Sequence, residues 1–131
     1  MIIADTDVLI DYLAGTQPTA DQVKAYIESD GLQTSAITCF ELLSGAREGK
    51  RGDRVRRMMA AIPVLPLDRE AAERSAAVRQ QLARSGASIG MADSLIAGIA
   101  LVNGVPLMTR NRKHFENVQG LSLLSLGQST N

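Results

Sequence analysis

Short apolar runs of strand length alternate with longer helical patterns along the whole sequence of 131 residues. Five segments of strand length span residues 2–5, 32–35, 63–67, 105–109 and 121–126; four are mainly apolar, whereas 32–35 has one apolar residue, Leu32. Parallel strands need long crossover connections, which are usually helices, whereas antiparallel strands can be joined by a tight turn. The alternation therefore predicts an α/β fold in which helices cover both faces of a mainly parallel sheet of four to five strands.

Capping residues, prolines and apolar patterns refine this prediction. Asp68 is expected to cap a long helix, and residues 91–103 are apolar almost all round, which predicts a buried helix packed closely on the sheet. Two prolines in residues 63–67 place that run at an edge of the sheet. The first helix is predicted directly after the first run, with Asp7 and Asp11 facing solvent.

The charges of the chain balance overall but are divided along its length. Lys and Arg total 14 and Asp and Glu total 14, so binding of nucleic acid or of an anionic membrane by overall charge is excluded. Four aromatic residues are too few for an RNA reader that works by base stacking. However, residues 1–46 carry seven acids and one base, whereas residues 47–57 carry six bases and two acids. A fold that joins these segments would set an acidic centre beside a basic flank.

Cysteine usage and hydropathy indicate the compartment. Cys39 is the single cysteine, so neither an internal disulfide nor a cysteine metal cluster is possible, and a reducing compartment fits. The amino terminus is apolar but acidic and lacks a basic leader, and the apolar run Leu95–Val102 is too short to span a membrane. We expect a cytoplasmic protein that forms one domain over residues 1–131 and does not associate with membranes.

Three acids are predicted to meet at one edge of the sheet. Asp5 ends the first run, Glu41 lies in the helix after the second, and Asp93 begins the buried helix that leads into the fourth. Ligands of open parallel sheets bind outside the carboxyl ends of the strands. Carboxylates brought together there repel one another, and Mg²⁺, which prefers oxygen ligands, relieves the repulsion. Such an ion activates water and stabilises charge on a phosphate during in-line displacement.

Each acid also has a purely structural interpretation. Asp5 can cap the first helix, Glu41 can complete a capping box with Thr38, and Asp93 can complement a helix dipole. The functional interpretation depends on the coincidence of three acids at one sheet edge.

Three segments together resemble the PIN-domain ribonucleases, and within them the VapC-type toxins of prokaryotic toxin–antitoxin pairs. The segments are DTDVLIDYL at 5–13, TSAITCFELLSGA at 34–46 and GMADSLIAGIALVNGVPLMTRNRKHF at 90–115. The resemblance implies a three-layer α/β/α PIN-like fold, RNA phosphodiester cleavage with Mg²⁺ or Mn²⁺, and homodimerisation. It also implies inhibition by a VapB-type antitoxin, through which alone DNA would be contacted.

By the same resemblance, Asp5 and Asp93 are metal ligands and Glu41 completes the catalytic trio. Supporting roles are expected for Thr6, Thr109 and Asn111. Asn111 stands where many relatives have a fourth acid, and it brings no charge, so we expect a single dominant Mg²⁺.

Basic residues on both sides of the acidic positions are predicted to contact RNA phosphates, which supplies affinity without reading sequence. These residues are Arg47, Arg51, Arg54, Arg110 and Arg112. The alternative is that they form a solvated helix face. His114, beside an aromatic residue after a strand, is expected to be structural.

Two other functions stay open on the sequence alone. Asp5-Thr6-Asp7-Val8 fits the D-x-D-x-[TV] signature of haloacid-dehalogenase-like phosphatases, with Asp5 as the nucleophile. That chemistry needs a well-placed lysine and a second acidic pair, and neither is evident. The other alternative is a catalytically idle PIN-like module that only binds RNA or protein, which Asn111 favours.

Overall fold

Five short strands form one parallel sheet in the computed structural model, which describes residues 1–126. The strands are β1 Ile2–Ala4, β2 Leu32–Ser35, β3 Val64–Leu65, β4 Leu107–Met108 and β5 Leu123–Leu124. Their order across the sheet is β3-β2-β1-β4-β5, and every neighbouring pair is parallel. The predicted parallel sheet is confirmed, with the strand that precedes Asp5 at its centre and the proline-flanked β3 at an edge.

Helices connect and cover these strands. They are α1 Thr6–Ala14, α2 Thr19–Glu28, α3 Ala36–Gly45, α4 Lys50–Ala61, α5 Arg69–Arg84, α6 Met91–Asn103 and α7 Arg112–Phe115. As predicted, Asp68 caps α5 by accepting a hydrogen bond from the backbone N–H of Ala71 at 2.9 Å. The sequence pattern did not indicate α7, because four residues are too few to show a helical period.

Two hydrophobic clusters lie on opposite faces of the sheet. Successive side chains of a strand point to opposite faces. Accordingly Ile2 packs with α1, α2 and α4, whereas Ile3 packs with α5 and α6. The result is the three-layer α/β/α arrangement expected from the sequence.

A glycine permits a close contact between α5 and α6. Gly98 of α6 lies against α5, and a β-carbon at this position would overlap the Ser75 hydroxyl oxygen. Ser75 is itself buried and donates a hydrogen bond to the Ala71 carbonyl at 2.7 Å. The predicted close packing of residues 91–103 is therefore achieved through a small residue at the contact.

This topology brings the ends of β1, β2 and β4 to one edge of the sheet. Asp5 follows β1, the amino terminus of α3 follows β2, and Thr109 follows β4. Within the described range, no helix is both long and apolar enough to cross a membrane.

Candidate active site

Asp5 is buried at the end of β1, with 4% of its surface exposed. One carboxylate oxygen, Oδ1, accepts a hydrogen bond from the backbone N–H of Thr6 at 2.8 Å and so caps α1. The other, Oδ2, accepts from the Thr109 hydroxyl at 2.7 Å. Capping of α1 uses only one of the two oxygens, and the two contacts together hold the carboxylate in one orientation.

Burial raises the pKa of Asp5 to about 6. The hydrogen bonds from Thr109 and Thr6 lower it, and the negative charges of Asp7 and Asp93 raise it further. A carboxylate buried among like charges gains stability in its ionised form when a cation binds beside it.

Glu41 reaches the same region from α3. One of its carboxylate oxygens accepts a hydrogen bond from the Thr6 hydroxyl at 2.9 Å, and that hydroxyl also lies 3.0 Å from the Thr38 hydroxyl. The capping-box interpretation of Glu41 is wrong, because the residue that caps α3 is Ser35, which accepts from the Thr38 N–H at 3.1 Å. Thr6 thus contacts Asp5 through its backbone and Glu41 through its side chain.

Asp93 lies in the first turn of α6 with about a quarter of its side chain exposed. Its Oδ2 is 2.8 Å from Nδ1 of His114, which stands on α7. The sequence pattern did not reveal this contact, since the two residues belong to separate elements. The contact gives His114 a polar partner and is compatible with the structural role expected of it, which stays a prediction.

Asp7 and Asp11 do not face solvent, and that prediction is wrong. Asp11 is 7% exposed, and its Oδ2 lies 3.2 Å from Nε of Arg110, which is 3.8 Å from Oδ2 of Asp7. Burial raises the pKa of Asp7, while the Arg110 charge lowers it. The two acids are four residues apart and share one face of α1, which the segment after β4 covers. A helical pattern alone cannot show which distant loop covers a polar face.

Thr109 and Asn111 are joined to each other by a short turn. The Thr109 hydroxyl oxygen accepts a hydrogen bond from the Asn111 backbone N–H at 3.0 Å while it donates to Asp5. The Asn111 side chain is exposed at the start of α7 and makes no capping hydrogen bond there.

The predicted basic residues fall into two groups. Arg47, Arg51 and Arg54 line a cavity of about 690 Å³ whose wall also includes Thr6 and Glu41. Arg54 additionally donates to the Leu13 carbonyl at 2.9 Å, which ties α4 to the end of α1. The second group lies after β4: Arg110 pairs with the acids of α1, and Nη1 of Arg112 is 3.4 Å from the Ser125 hydroxyl.

The oxygen-rich site suits a hard divalent cation. Across residues 1–126, no three His, Cys, Asp or Glu side chains are grouped closely enough to hold one ion together. Mg²⁺ is usually held by one or two protein carboxylates and completes its shell with water. The buried Asp5, under the influence of the Asp93 charge, fits such a site, whereas three direct protein ligands are not indicated.

Comparison with known proteins identifies the class to which this fold and site belong. The sequence profile of the PIN domain matches residues 2–121. The chain therefore belongs to the PIN domain family, whose members generally use divalent metal ions.

Within that family, the similar curated proteins are VapC ribonucleases. The chain is 30% identical over 121 residues to the tRNA(fMet)-specific endonuclease VapC of Shigella flexneri, covering 89% of this chain and 91% of that protein. It is 34% identical over 115 residues to ribonuclease VapC10 of Mycobacterium tuberculosis, covering 88% and 86%. The predicted family and the predicted ribonuclease class are thus confirmed, and these relatives give no support to the phosphatase alternative.

Solved structures show the same fold. A DNA-bound VapBC complex from Salmonella typhimurium contains a chain that superposes with a TM-score of 0.78 at 27% identity, covering 95% of this chain and 98% of that one. FitAcB from Neisseria gonorrhoeae contains one with a TM-score of 0.77 at 26% identity, covering 95% and 97%.

Proposed function

We propose that this chain is the Mg²⁺-dependent endoribonuclease toxin of a VapBC-type toxin–antitoxin pair. The observation that carries the proposal is the burial and hydrogen bonding of the Asp5 carboxylate. Its carboxylate is buried beside like charges, so that its pKa lies at about 6, and it is held in one orientation by Thr6 and Thr109. A carboxylate of this kind is arranged to receive a cation.

Each residue around Asp5 is assigned a different role in hydrolysis. Asp5 and Asp93 would hold Mg²⁺, with Mn²⁺ as a substitute, and the bound ion would activate water and stabilise charge on the phosphate. Glu41 is exposed and held by the Thr6 hydroxyl, so its second oxygen is free to orient the attacking water. Asn111 adds no charge, which favours a single ion.

RNA would lie along the cavity that joins Glu41 to α4. Arg47, Arg51 and Arg54 line this cavity together with Thr6, which places basic groups next to the acidic site. Phosphate contacts of this kind supply affinity without specifying sequence. Arg112, which begins α7 after β4, would add a basic contact outside this cavity. Arg110 is engaged by Asp11 and is not included in this set.

A VapB-type antitoxin is the proposed protein partner, because similar structures at 26–27% identity come from VapBC and FitAB complexes. We further propose a cytoplasmic homodimer that contacts DNA only through the antitoxin. Residues 1–131 would act as one domain, of which 127–131 lie outside the described residues.

Substitution of the acids tests the catalytic assignment. Asp5→Asn, Asp93→Asn and Glu41→Gln should each abolish growth arrest on induced expression and cleavage of cellular RNA in Mg²⁺, while the protein stays folded. Glu70→Gln, an exposed acid of α5, is the matched control and should keep full activity. Cleavage-site sequencing of total RNA and circular dichroism provide the readouts.

Two results would contradict the proposal. Full activity of both Asp5→Asn and Asp93→Asn would exclude their role as metal ligands. Purified wild-type chain that binds RNA but cleaves none with Mg²⁺ or Mn²⁺ would instead support the idle binding module.

A further inference from the structure

Arg110 connects the segment after β4 to α1. Its Nε lies 3.2 Å from Oδ2 of Asp11 and 3.8 Å from Oδ2 of Asp7. The acid side chains are only 10% and 15% exposed, whereas the arginine side chain is 52% exposed. The pair of acids is therefore covered, and the guanidinium lies over it at the surface.

These two acids need a cation. A carboxylate removed from water is costly unless it is paired or hydrogen-bonded. Among the described residues, neither side-chain oxygen of Asp7 has a hydrogen bond of good geometry, although the backbone N–H groups of Val8 and Arg110 lie close enough to lower its pKa. In that same part, Arg110 is the one basic residue within ion-pair distance of Asp7 or Asp11.

The residues on either side of Arg110, Thr109 and Asn111, connect it to Asp5. Thr109 directly precedes Arg110, and its hydroxyl donates to Oδ2 of Asp5 at 2.7 Å. The same hydroxyl oxygen accepts from the backbone N–H of Asn111 at 3.0 Å. One three-residue segment is thus tied to α1 by its central residue and to Asp5 by its first.

We propose that Arg110 is a positioning residue: Asp11 and Asp7 hold it against α1, and it thereby fixes the Thr109 hydroxyl against Asp5. Arg110 is then not a contact for RNA phosphates, although its charge and sequence position predict one. The inference rests on the proposed function only in giving Asp5 its catalytic importance. The anchorage itself is a property of the folded chain.

Arg110 as a phosphate contact and Arg110 as a positioning residue predict different effects of substituting Asp11. An arginine that contacts phosphate does not depend on a buried acid of α1, and loss of Asp11 would free it for RNA. A positioning arginine requires Asp11, so removing either partner should loosen the same segment. Because the two side chains share one interaction, the effects of the two substitutions should not add.

Hydrogen exchange of the Asn111 amide measures the anchorage without RNA or metal. We expect Arg110→Ala and Asp11→Asn each to speed this exchange about tenfold, because local opening loses a charge-assisted contact. The double variant should exchange no faster than the faster single variant. Arg110→Lys keeps the charge but loses the planar fork, and it should fall between wild type and Arg110→Ala. Arg79→Ala, an exposed arginine of α5, is the control and should leave the amide unchanged.

Binding of bulk tRNA then separates positioning from phosphate contact. We measure the dissociation constant against salt concentration in the non-cleaving Asp93→Asn background. Loss of one phosphate contact lowers the magnitude of the slope of the log–log plot by about 0.7 to 0.9, the values for single strands and for a duplex, and tRNA contains both kinds of segment. Arg51→Ala should show that reduction, whereas Arg110→Ala should keep the slope of its parent.

Several outcomes would overturn the inference. Unchanged Asn111 exchange in either Arg110→Ala or Asp11→Asn would show that the pair does not anchor the segment. A reduced salt slope in Arg110→Ala would make Arg110 an RNA contact. If the wild type cleaves no RNA, the proposed function fails, but the exchange data still decide the anchorage.

Discussion

Asp5 serves two purposes that rely on different oxygens of one carboxylate. Oδ1 satisfies a backbone N–H at the start of α1, as an ordinary capping residue does, and Oδ2 accepts from the hydroxyl of Thr109, which follows the neighbouring strand β4. Burial nevertheless makes the charged form costly, and the hydrogen bonds only partly offset that cost.

The raised pKa of Asp5 predicts a pH dependence of stability in metal-free protein. The pKa is about 6 in the folded state against 3.8 for an aspartate in water, so the folded state binds the proton more tightly. Stability from this group is therefore full below about pH 4 and is lost as pH rises through 6, by up to about 3 kcal/mol.

Urea unfolding of wild type and Asp5→Asn in EDTA checks this prediction. Asparagine still caps a helix but carries no charge, so Asp5→Asn should be the more stable protein at pH 7.5. The advantage should shrink towards pH 4.5, where the wild-type carboxyl is protonated. An advantage that is the same at both pH values would contradict the raised pKa.

At the scale of elements, α5 and α6 pack closely because Gly98 has no side chain. An added β-carbon would overlap Ser75 Oγ and lie 2.8 Å from the Ser75 backbone nitrogen and 2.9 Å from the Ala71 carbonyl oxygen. The hydroxyl could rotate away, but the backbone atoms could not, so the helices would have to move apart.

Gly98→Ala should therefore destabilise the protein by about 2 kcal/mol, in spite of the higher helix propensity of alanine. Gly45→Ala is the matched control, since nothing lies within 4 Å of a β-carbon at the end of α3. That substitution should be neutral or slightly stabilising. Thermal unfolding of both variants measures the difference, and equal melting temperatures would show that α5 and α6 can separate without cost.

For the whole molecule, zero net charge conceals an arrangement of opposite charges. The acidic first third supplies Asp5 and Glu41, and α4 carries the basic residues that line the cavity beside Glu41. Asp93 completes the acidic side from the other half of the chain. The balance of 14 and 14 charges thus excludes binding by overall charge, but not binding at a local basic surface.

A divalent cation should stabilise the whole fold, because a ligand that binds only the native state adds to the free energy of unfolding. At a concentration one hundred times its dissociation constant, Mg²⁺ would add about 2.7 kcal/mol. The melting temperature of wild type should rise with Mg²⁺ by clearly more than that of Asp93→Asn. Glu70→Gln should follow wild type, and equal shifts for wild type and Asp93→Asn would argue against Asp93 as a ligand.

The candidate site was predictable in outline because Asp5 and Glu41 come after strands in the sequence. Parallel connectivity sends the carboxyl ends of β1, β2 and β4 to one edge, so Asp5, Glu41 and Thr109 could be expected there. Their individual contacts were not predictable. Thr109 and Asp5 are 104 residues apart, and nothing in the local pattern of either indicates that their side chains form a hydrogen bond.

The sequence by itself determined the strands, most of the helices and their parallel arrangement, because caps, breakers and apolar periods act over a few neighbouring residues. Only the tertiary structure decided that Asp7 and Asp11 are covered, that Arg110 pairs with them and that His114 contacts Asp93. Whether a polar side chain is buried or exposed depends on which distant segment packs over it. That choice depends on the packing of the whole fold and not on any local pattern.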